Sequence, residues 1–404
     1  MSCFPQVFIP AGDYNVNTTL VLADGFGSSS GISIGQMVRL RGVSHEKPPR
    51  TLLHSFNTSG PVIQLGSWHA KYSEGAAYYL ERLAIAGQYT GVKVIATSSI
   101  NMHQVHISAQ RWAVDSVDIA DATALLITGC FWLWFEECSF TSASPPGKWS
   151  KTNLGTRPSV IMRGEPTPKG SLATNNVQQV YLVRFTKAQF NYGGVRYEQN
   201  TSPYTGPPIG FWDFLTVSQE DSFTPLVEIT GNGSQPLDPM HNQPTARFSQ
   251  ISIQGYQDAD AGGSAGGPIV RLNLTNSSLD GVTIFGAGDI ESPFGAVEVV
   301  DGRLGSVNIL DSRGGGAVDA DKHPVGAVFQ KSTGGITITG LDPHCDAQTP
   351  SCHRVLGSND SRVGWQSESA ISVAQEGDDY ARLAVFADGA IAYGSVVDGA
   401  TNHG

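Results

Sequence analysis

The 404-residue sequence predicts an all-β fold: a right-handed single-stranded parallel β-helix, a solenoid with long loop insertions and a C-terminal β-hairpin tail. One observation is an apolar-polar-apolar step that returns as Val282-Thr-Ile284, Val307-Asn-Ile309 and Ile336-Thr-Ile338, with starts 25 and 29 residues apart. A second series, Val270-Arg-Leu272, Val297-Glu-Val299 and Val328-Phe329, falls between these, so each period holds at least two short strands. Composition is the third: charged residues make up only 15%, and 47 Gly and 22 Pro punctuate stretches rich in Val, Ile, Thr and Ser. Self-similarity at a period of roughly 20 to 50 residues marks a solenoid, and alternation with period 2 makes its unit a strand. Solenoids grow by adding coils, so this length needs no domain split. Residues 1–340 are predicted as β-helix and 341–404 as a linker with the hairpin tail.

The chain starts with Val7 to Ile9, then Pro10-Ala-Gly-Asp-Tyr14 and Leu20-Val-Leu22, a strand, a turn and a strand. Pro10 cannot donate to a ladder and stops the first strand, while Gly12 supplies freedom for the turn. Val38-Arg-Leu40-Arg-Gly42 follows. Together, "VFIPAGDYNVNTTLVL" and "VRLRG" resemble the first coils of the pectate-lyase-like β-helix superfamily, which holds phage tailspikes and polysaccharide lyases. The resemblance is close over about the first 45 residues and extends as a strand rhythm to about residue 340. It implies a protein that recognises a polysaccharide or glycan along a side groove, with lyase or glycoside hydrolase activity in those members that cleave; a purely structural or adhesive solenoid is the other expectation. Members often start with a helix capping the first coil; here the motif starts at once, so the cap is expected to be missing, shortened or supplied by another chain.

Val62-Ile-Gln-Leu65, Leu83-Ala-Ile85, Val92-Lys-Val94, Val105-His-Ile107 and Leu125-Leu-Ile127 continue the rhythm, with steps of 22 and 20 residues from Leu83 to Val105 to Leu125. One coil per step is expected. Between Ser142 and Val177 the text turns polar and rich in Pro and Gly, as insertions leaving one face of a solenoid do. Val180-Tyr-Leu182, Val195-Arg-Tyr197, Val227-Glu-Ile229 and Ile251-Ser-Ile253 resume the strands, and Tyr204 to Phe223 and Gln235 to Thr245 are predicted as further insertions. After Gly340 the rhythm is expected to stop. Arg382 to Gly394 then predicts a hairpin around Asp388-Gly389, a strong turn signal. This element resembles one near the C-termini of phage-type and bacterial surface proteins. A lone hairpin is marginal in water, so it is expected to pack on the solenoid or to pair across a homotrimer.

Net charge of -11 and a pI near 5.3 argue against nucleic acid or an anionic membrane as the main partner, since both select clustered Lys and Arg. No apolar run of about 18 residues is present to span a bilayer. The N-terminus lacks a basic region followed by an apolar one, so either a leader has been removed or export does not use one. An extracellular location, secreted or on a cell or virion surface, is expected. Cys130 and Cys138 lie in apolar sequence and behave as small core residues, whereas Cys345 and Cys352 enclose a polar loop that a disulfide could close. No metal site or cofactor is predicted: no spacing fits zinc, Asp319-Ala-Asp321 offers far fewer oxygens than calcium takes, and neither a phosphate-binding Gly loop nor a G-x-S-x-G elbow occurs.

The most informative local stretch is "LLITGCFWLWFEECSF", residues 125–140. Alternation puts Phe131, Leu133 and Phe135 on one face and Trp132, Trp134 and Glu136 on the other. If the first face fills the core, Trp132 and Trp134 form a platform for sugar rings, whose C–H faces stack on indoles while hydroxyls bond to carboxylates. The alternative puts both tryptophans under the Ser142 to Ser150 loop as satellite core. Trp212, Tyr181 and Arg184 join them as candidate substrate-binding residues. For hydrolysis, Glu136, Glu137, Asp115, Asp118 and Asp121, and Asp213 with Glu220 and Asp221, could supply two carboxylates about 5 to 9.5 Å apart. Adjacent strand residues face opposite ways, so a working pair must come from different coils. A lyase would need a base and a cation, with candidates His103, His106, Arg111, Arg184, Lys187, Tyr192, Arg196 and Tyr197; His106 projects between Val105 and Ile107. Glu136, Asp213 and His106 are the leading catalytic candidates. The regular repeat after Val282 exposes only Thr283, Asn308 and Thr337, so a binding site is expected upstream of it.

Overall fold

The computed structural model describes residues 6–22, 37–46, 50–57, 59–68, 76–109, 123–142, 157–164, 180–199, 209–220, 222, 224–231, 247–258, 268–287, 297–310, 312–314, 333–338, 341–343, 353–356, 360–365, 371–374, 380–385, 391–397 and 400–403. All regular structure among them is β. The chain divides into two compact units, Met1–Thr201 with Trp212–Ser222, and Ser202–Phe211 with Phe223–Gly404.

The first unit is a parallel β-solenoid whose coils have three flanks. The first flank stacks Gln6–Phe8, Met37–Arg41, the start of Ala77–Gly87, residues 99–103, the end of Leu125–Glu136, Val180–Thr186 and residues 212–215. The second stacks Gly12–Asn15, Thr51–Ser55, residues 84–87 and 105–109, Ser139–Thr141, Gln189–Asn191 and Ser218–Glu220. Leu20–Leu22, Pro61–Leu65, residues 90–94 and 125–128, Val160–Gly164 and Val195–Gln199 form the third.

A single residue with left-handed backbone turns the chain from the first flank to the second. These residues are Arg82 (φ 54°), Gln104 (54°), Glu137 (51°), Lys187 (50°) and Thr216 (53°). A non-glycine residue in that region costs on the order of 1 kcal/mol. The turn persists because its amide stays in the ladder: Glu137 N–H donates to the Thr186 carbonyl at 2.9 Å and Lys187 N–H to the Leu215 carbonyl at 2.8 Å.

Inside the coils, aromatic rings repeat at matching positions. Phe135, Phe185 and Phe214 stack with centroids 4.7 and 5.1 Å apart, and Phe140 stacks on Phe190 at 5.6 Å. Edge-to-face contacts tie the two columns, Phe135 to Phe140 at 5.4 Å and Phe185 to Phe190 at 5.2 Å. All five rings are buried, and Cys130 and Cys138 are buried with them. Burial pushes both thiols up to about 12, as expected of cysteines that act as small apolar side chains.

Three expectations change at this level. The 20-residue step from Val105 to Leu125 joins two different flanks: Val105 pairs with Leu83, Ile107 stacks on Phe140, and Leu125 stacks on Val92. A coil therefore holds three strands, and similar apolar triplets on different flanks had merged into one series. Within the stretch 204–223, expected to be an insertion, residues 212–215 and Ser218–Glu220 continue the first and second flanks in register. Between the polar stretches after Ser142, Val160–Gly164 supplies the third flank; residues 143–156 and 165–179 lie outside the described residues, as do Cys3, Cys345, Cys352 and the Asp319-Ala-Asp321 pair.

In the second unit the repeat found in the sequence is the register of the sheet. Val282, Thr283 and Ile284 pair with Val307, Asn308 and Ile309, which pair with Ile336, Thr337 and Ile338. Val270 and Leu272 pair with Val297 and Val299, whereas Val328-Phe329 lies outside the described residues. Parallel pairing continues past Gly340, where Asp360–Trp365 adds to Thr333–Ile338. Tyr380–Val385 and Ile391–Val397 form the antiparallel hairpin, with Leu383 opposite Tyr393; the Asp388-Gly389 turn itself lies outside the described residues.

The stacked Phe column makes a direct prediction. Phe185→Ala removes the middle ring of the first column, which also meets both rings of the second edge-to-face, and lowers stability by about 3–5 kcal/mol, seen as a lower denaturant midpoint at unchanged slope. A loss of under about 1 kcal/mol would mean that the column is not packed as described.

Candidate functional site

The outer face of the first flank brings together Trp132, Trp134, Glu136, Arg184, Asp213 and His103 from the residues singled out in the sequence. In Leu125–Glu136, Leu133 and Phe135 are buried, so Trp132, Trp134 and Glu136 face outward. Trp132 is 43% and Trp134 38% exposed, as a platform requires; residues 143–150 of the Ser142 to Ser150 loop lie outside the described residues. Their rings lie side by side, centroids 6.4 Å apart and tilted by 31°.

Parallel register converts this strand into a grid. On one side Ser99, Asn101 and His103 stand opposite Trp132, Trp134 and Glu136. On the other stand Leu182, Arg184 and Thr186. One coil further, Asp213 stands opposite Arg184 and accepts a hydrogen bond from its Nε at 3.1 Å. Beyond His103 comes Glu81, which Arg39 and Arg41 face from the preceding coil. Partial burial pushes the Glu81 carboxyl up, but the hydrogen bond and charge of Arg39, with Arg41 and Arg82, outweigh it and hold Glu81 below the usual carboxylate range.

The left-handed corner carries its own ladder. Glu137 accepts from Gln104 Nε2 at 2.9 Å and from Lys187 Nζ at 3.3 Å, one partner from each neighbouring coil. These bonds, Gln104 first, hold the exposed Glu137 carboxyl below its ordinary value. His45, after the strand Met37–Arg41, feels the charges of Glu137 and His103; burial is the largest influence on it and pushes its pKa down, against the pull of Glu46.

Not every candidate joins this face. Trp212 is corrected: it is 1% exposed, inside the coil and 6.1 Å from the Tyr197 ring. Alternation turns Phe211, Asp213 and Leu215 outward instead, because the strand continues the coil and does not leave it as a loop. His106 stands on the second flank, beyond the Gln104 turn, in register with Ala84 and Ser139. His106 therefore stands on a different flank from Glu136 and Asp213. Glu136 and Asp213 share a flank but sit two coils and one outward position apart, roughly 12 Å between their Cα atoms from ordinary sheet spacings. Tyr181 is half-buried in the strand that carries Arg184, and Glu220, on the second flank, accepts from Gln189 at 2.7 Å. Arg111, Asp115, Asp118, Asp121 and Asp221 lie outside the described residues.

No family model matches the chain, and no curated protein matches it. Among solved structures, one described as Geobacillus virus E2 ORF18 is similar with a TM-score of 0.41 at 11% identity, covering 98% of this chain and 67% of that one.

Asn101 and Leu182, which flank the tryptophans, were missed in the sequence because only the register shows that they border Trp134 and Trp132. Among the described residues, no group of three or more His, Cys, Asp or Glu side chains could hold a metal ion. The face offers two apolar ring surfaces, an ion pair with both donor and acceptor capacity, an amide and a carboxylate.

The corner ladder yields a titration test. In an NMR titration, Gln104→Ala and Lys187→Ala each raise the Glu137 pKa towards the ordinary carboxylate value, the first by removing a hydrogen bond and the second by removing a hydrogen bond and a charge. Because the native pKa is depressed, these bonds persist at neutral pH and are lost as pH falls through that lowered value. An unchanged Glu137 pKa in both variants would contradict the ladder.

Proposed function

We propose that this protein is a surface-displayed β-solenoid that recognises a carbohydrate on the outer face of its first flank. The observation that carries this is the pair of adjacent, exposed indoles Trp132 and Trp134 on one strand, with Arg184 and Asp213 beside them and Glu136 at the end. Exposed tryptophans are costly to leave in water, since each ring carries a large apolar area. A pyranose offers what such a face needs: an apolar C–H surface for the ring, and hydroxyls for the Arg184–Asp213 pair, Asn101 and Glu136. The resemblance of the first coils to the pectate-lyase-like superfamily agrees with a glycan ligand. Likewise, the resemblance of the C-terminal hairpin to phage-type and bacterial surface proteins agrees with display on a virion or cell surface.

Recognition fits this geometry better than cleavage. Two-carboxylate hydrolysis needs the groups about 5 to 9.5 Å apart. Glu136 and Asp213 are spread over two coils, Asp213 is engaged by Arg184, and His106 occupies another flank.

Trp132→Ala and Trp134→Ala each weaken glycan binding about tenfold, equivalent to about 1.4 kcal/mol, measured by calorimetry against a glycan panel. The melting temperature stays close to that of the unaltered protein because neither ring fills the core. Binding unchanged in both variants would remove the basis for this function.

A further inference from the structure

A parallel β-helix invites the expectation that a bound glycan runs the length of the solenoid, from coil to coil. The residues on this face argue for the perpendicular direction. Resting on the glycan function proposed above, we infer that the site takes a short, uncharged segment of two to three pyranose units, laid along the strand Trp132 to Glu136 and across the stack of coils.

Three observations carry this. The stacking surfaces are arranged along the strand: Trp132 and Trp134 are successive outward residues, with 6.4 Å between centroids and 31° between ring planes, so two consecutive sugar rings meet two ring surfaces in series. Across the coils the surface changes character at once. The neighbours of the two indoles are Ser99 and Asn101 on one side and Leu182 and Arg184 on the other, none of which presents an aromatic ring. The next rings across the coils stand further off: Tyr79, half-buried, lies two coils from Trp134 behind Asn101, and Phe211, which is exposed, precedes Asp213 on the strand beyond Arg184.

The strand also limits the length. Cys130 is buried before Trp132, and the left-handed turn at Glu137 swings the chain to the second flank after Glu136. Only three outward positions remain, 132, 134 and 136, spanning about 13 Å at the usual strand rise. Two rings can stack on the indoles, and a third reaches Glu136 and His103.

Charge then selects the class of sugar. The cations beside the platform are each matched by an anion, Arg184 by Asp213 and Lys187 by Glu137. Glu136 adds a further carboxylate beside the third position, and the chain as a whole carries a net charge of -11. A polyuronate would bring carboxylates to a stretch where Arg184 and Lys187 already have their anions, since the three guanidiniums around Glu81 lie towards coils beyond His103, and the protein's field opposes its approach. A neutral glycan meets the same groups as hydrogen-bond partners.

The test is a length series measured by calorimetry with the full chain: gluco-, manno- and galacto-oligosaccharides of one to six units, with oligogalacturonates of the same lengths as the anionic arm. Affinity is expected to rise at least tenfold from one unit to two, at most a few-fold more at three, and to stay level from three to six. Trp132→Ala should reduce disaccharide affinity to that of the monosaccharide, with an unchanged melting temperature as the control for folding. An affinity that keeps climbing to six units would overturn the transverse, short site while leaving glycan recognition intact. Tighter binding of the galacturonates than of every neutral series would overturn the uncharged class. If no oligosaccharide binds at any length, the glycan function falls, and this inference with it.

Discussion

In-register stacking of parallel strands is the constraint on which the rest of the first unit depends. The strand amides bond to the coils on either side, Glu137 N–H to the following coil and Gln189 N–H to the preceding one, so a residue's place in its own strand fixes its neighbours. Two devices hold that register. The stacked column of Phe135, Phe185 and Phe214 gives three successive coils the same large side chain at the same inward point, where a slip of one residue would send it into water; Met102, Leu80 and Leu40 hold that point in the coils before them. The one-residue left-handed corner, repeated from Arg82 to Thr216, ends the first flank at a matching point in each coil.

The site follows from that register. Because Phe135 points inward, Trp134 must point outward, and because Val180–Thr186 lies in register on the same strand, Arg184 stands beside it. Asp213 reaches Arg184 for the same reason, one coil further on. No loop among the described residues is needed to assemble the platform. The register of the strands alone sets the indoles and their polar border side by side.

Much of this was legible in the sequence where local pattern and global register agree. The triplets at Val282, Val307 and Ile336 are neighbours in the sheet, as their period implied, and alternation through residues 125–140 separated Trp132 and Trp134 from the core. Pattern failed where information is not local. Trp212 lies in "GFWDFL", which Pro207 and Pro208 precede and polar text surrounds, so the stretch resembles an inserted loop; only its pairing with Val183 fixes Trp212 as inward. The three-flank coil was hidden because Val105 and Leu125 start similar triplets on different flanks. Asn101 and Leu182 carry no motif of their own and acquire a role only through the strand that lies against theirs.

The central claim is that the outward indoles of one strand are the contact surface for a sugar, and indole N–H resonances in a nitrogen-proton correlation spectrum test it most directly. The protein has seven tryptophans, which serve as reporters spread over the chain. On titration with a neutral trisaccharide of the tightest-binding series, the account predicts that the Trp132 and Trp134 signals shift together and saturate at one concentration, while the buried Trp212 signal stays in place. Shifts confined to other tryptophans, or Trp132 and Trp134 signals that do not move at saturation, would contradict it.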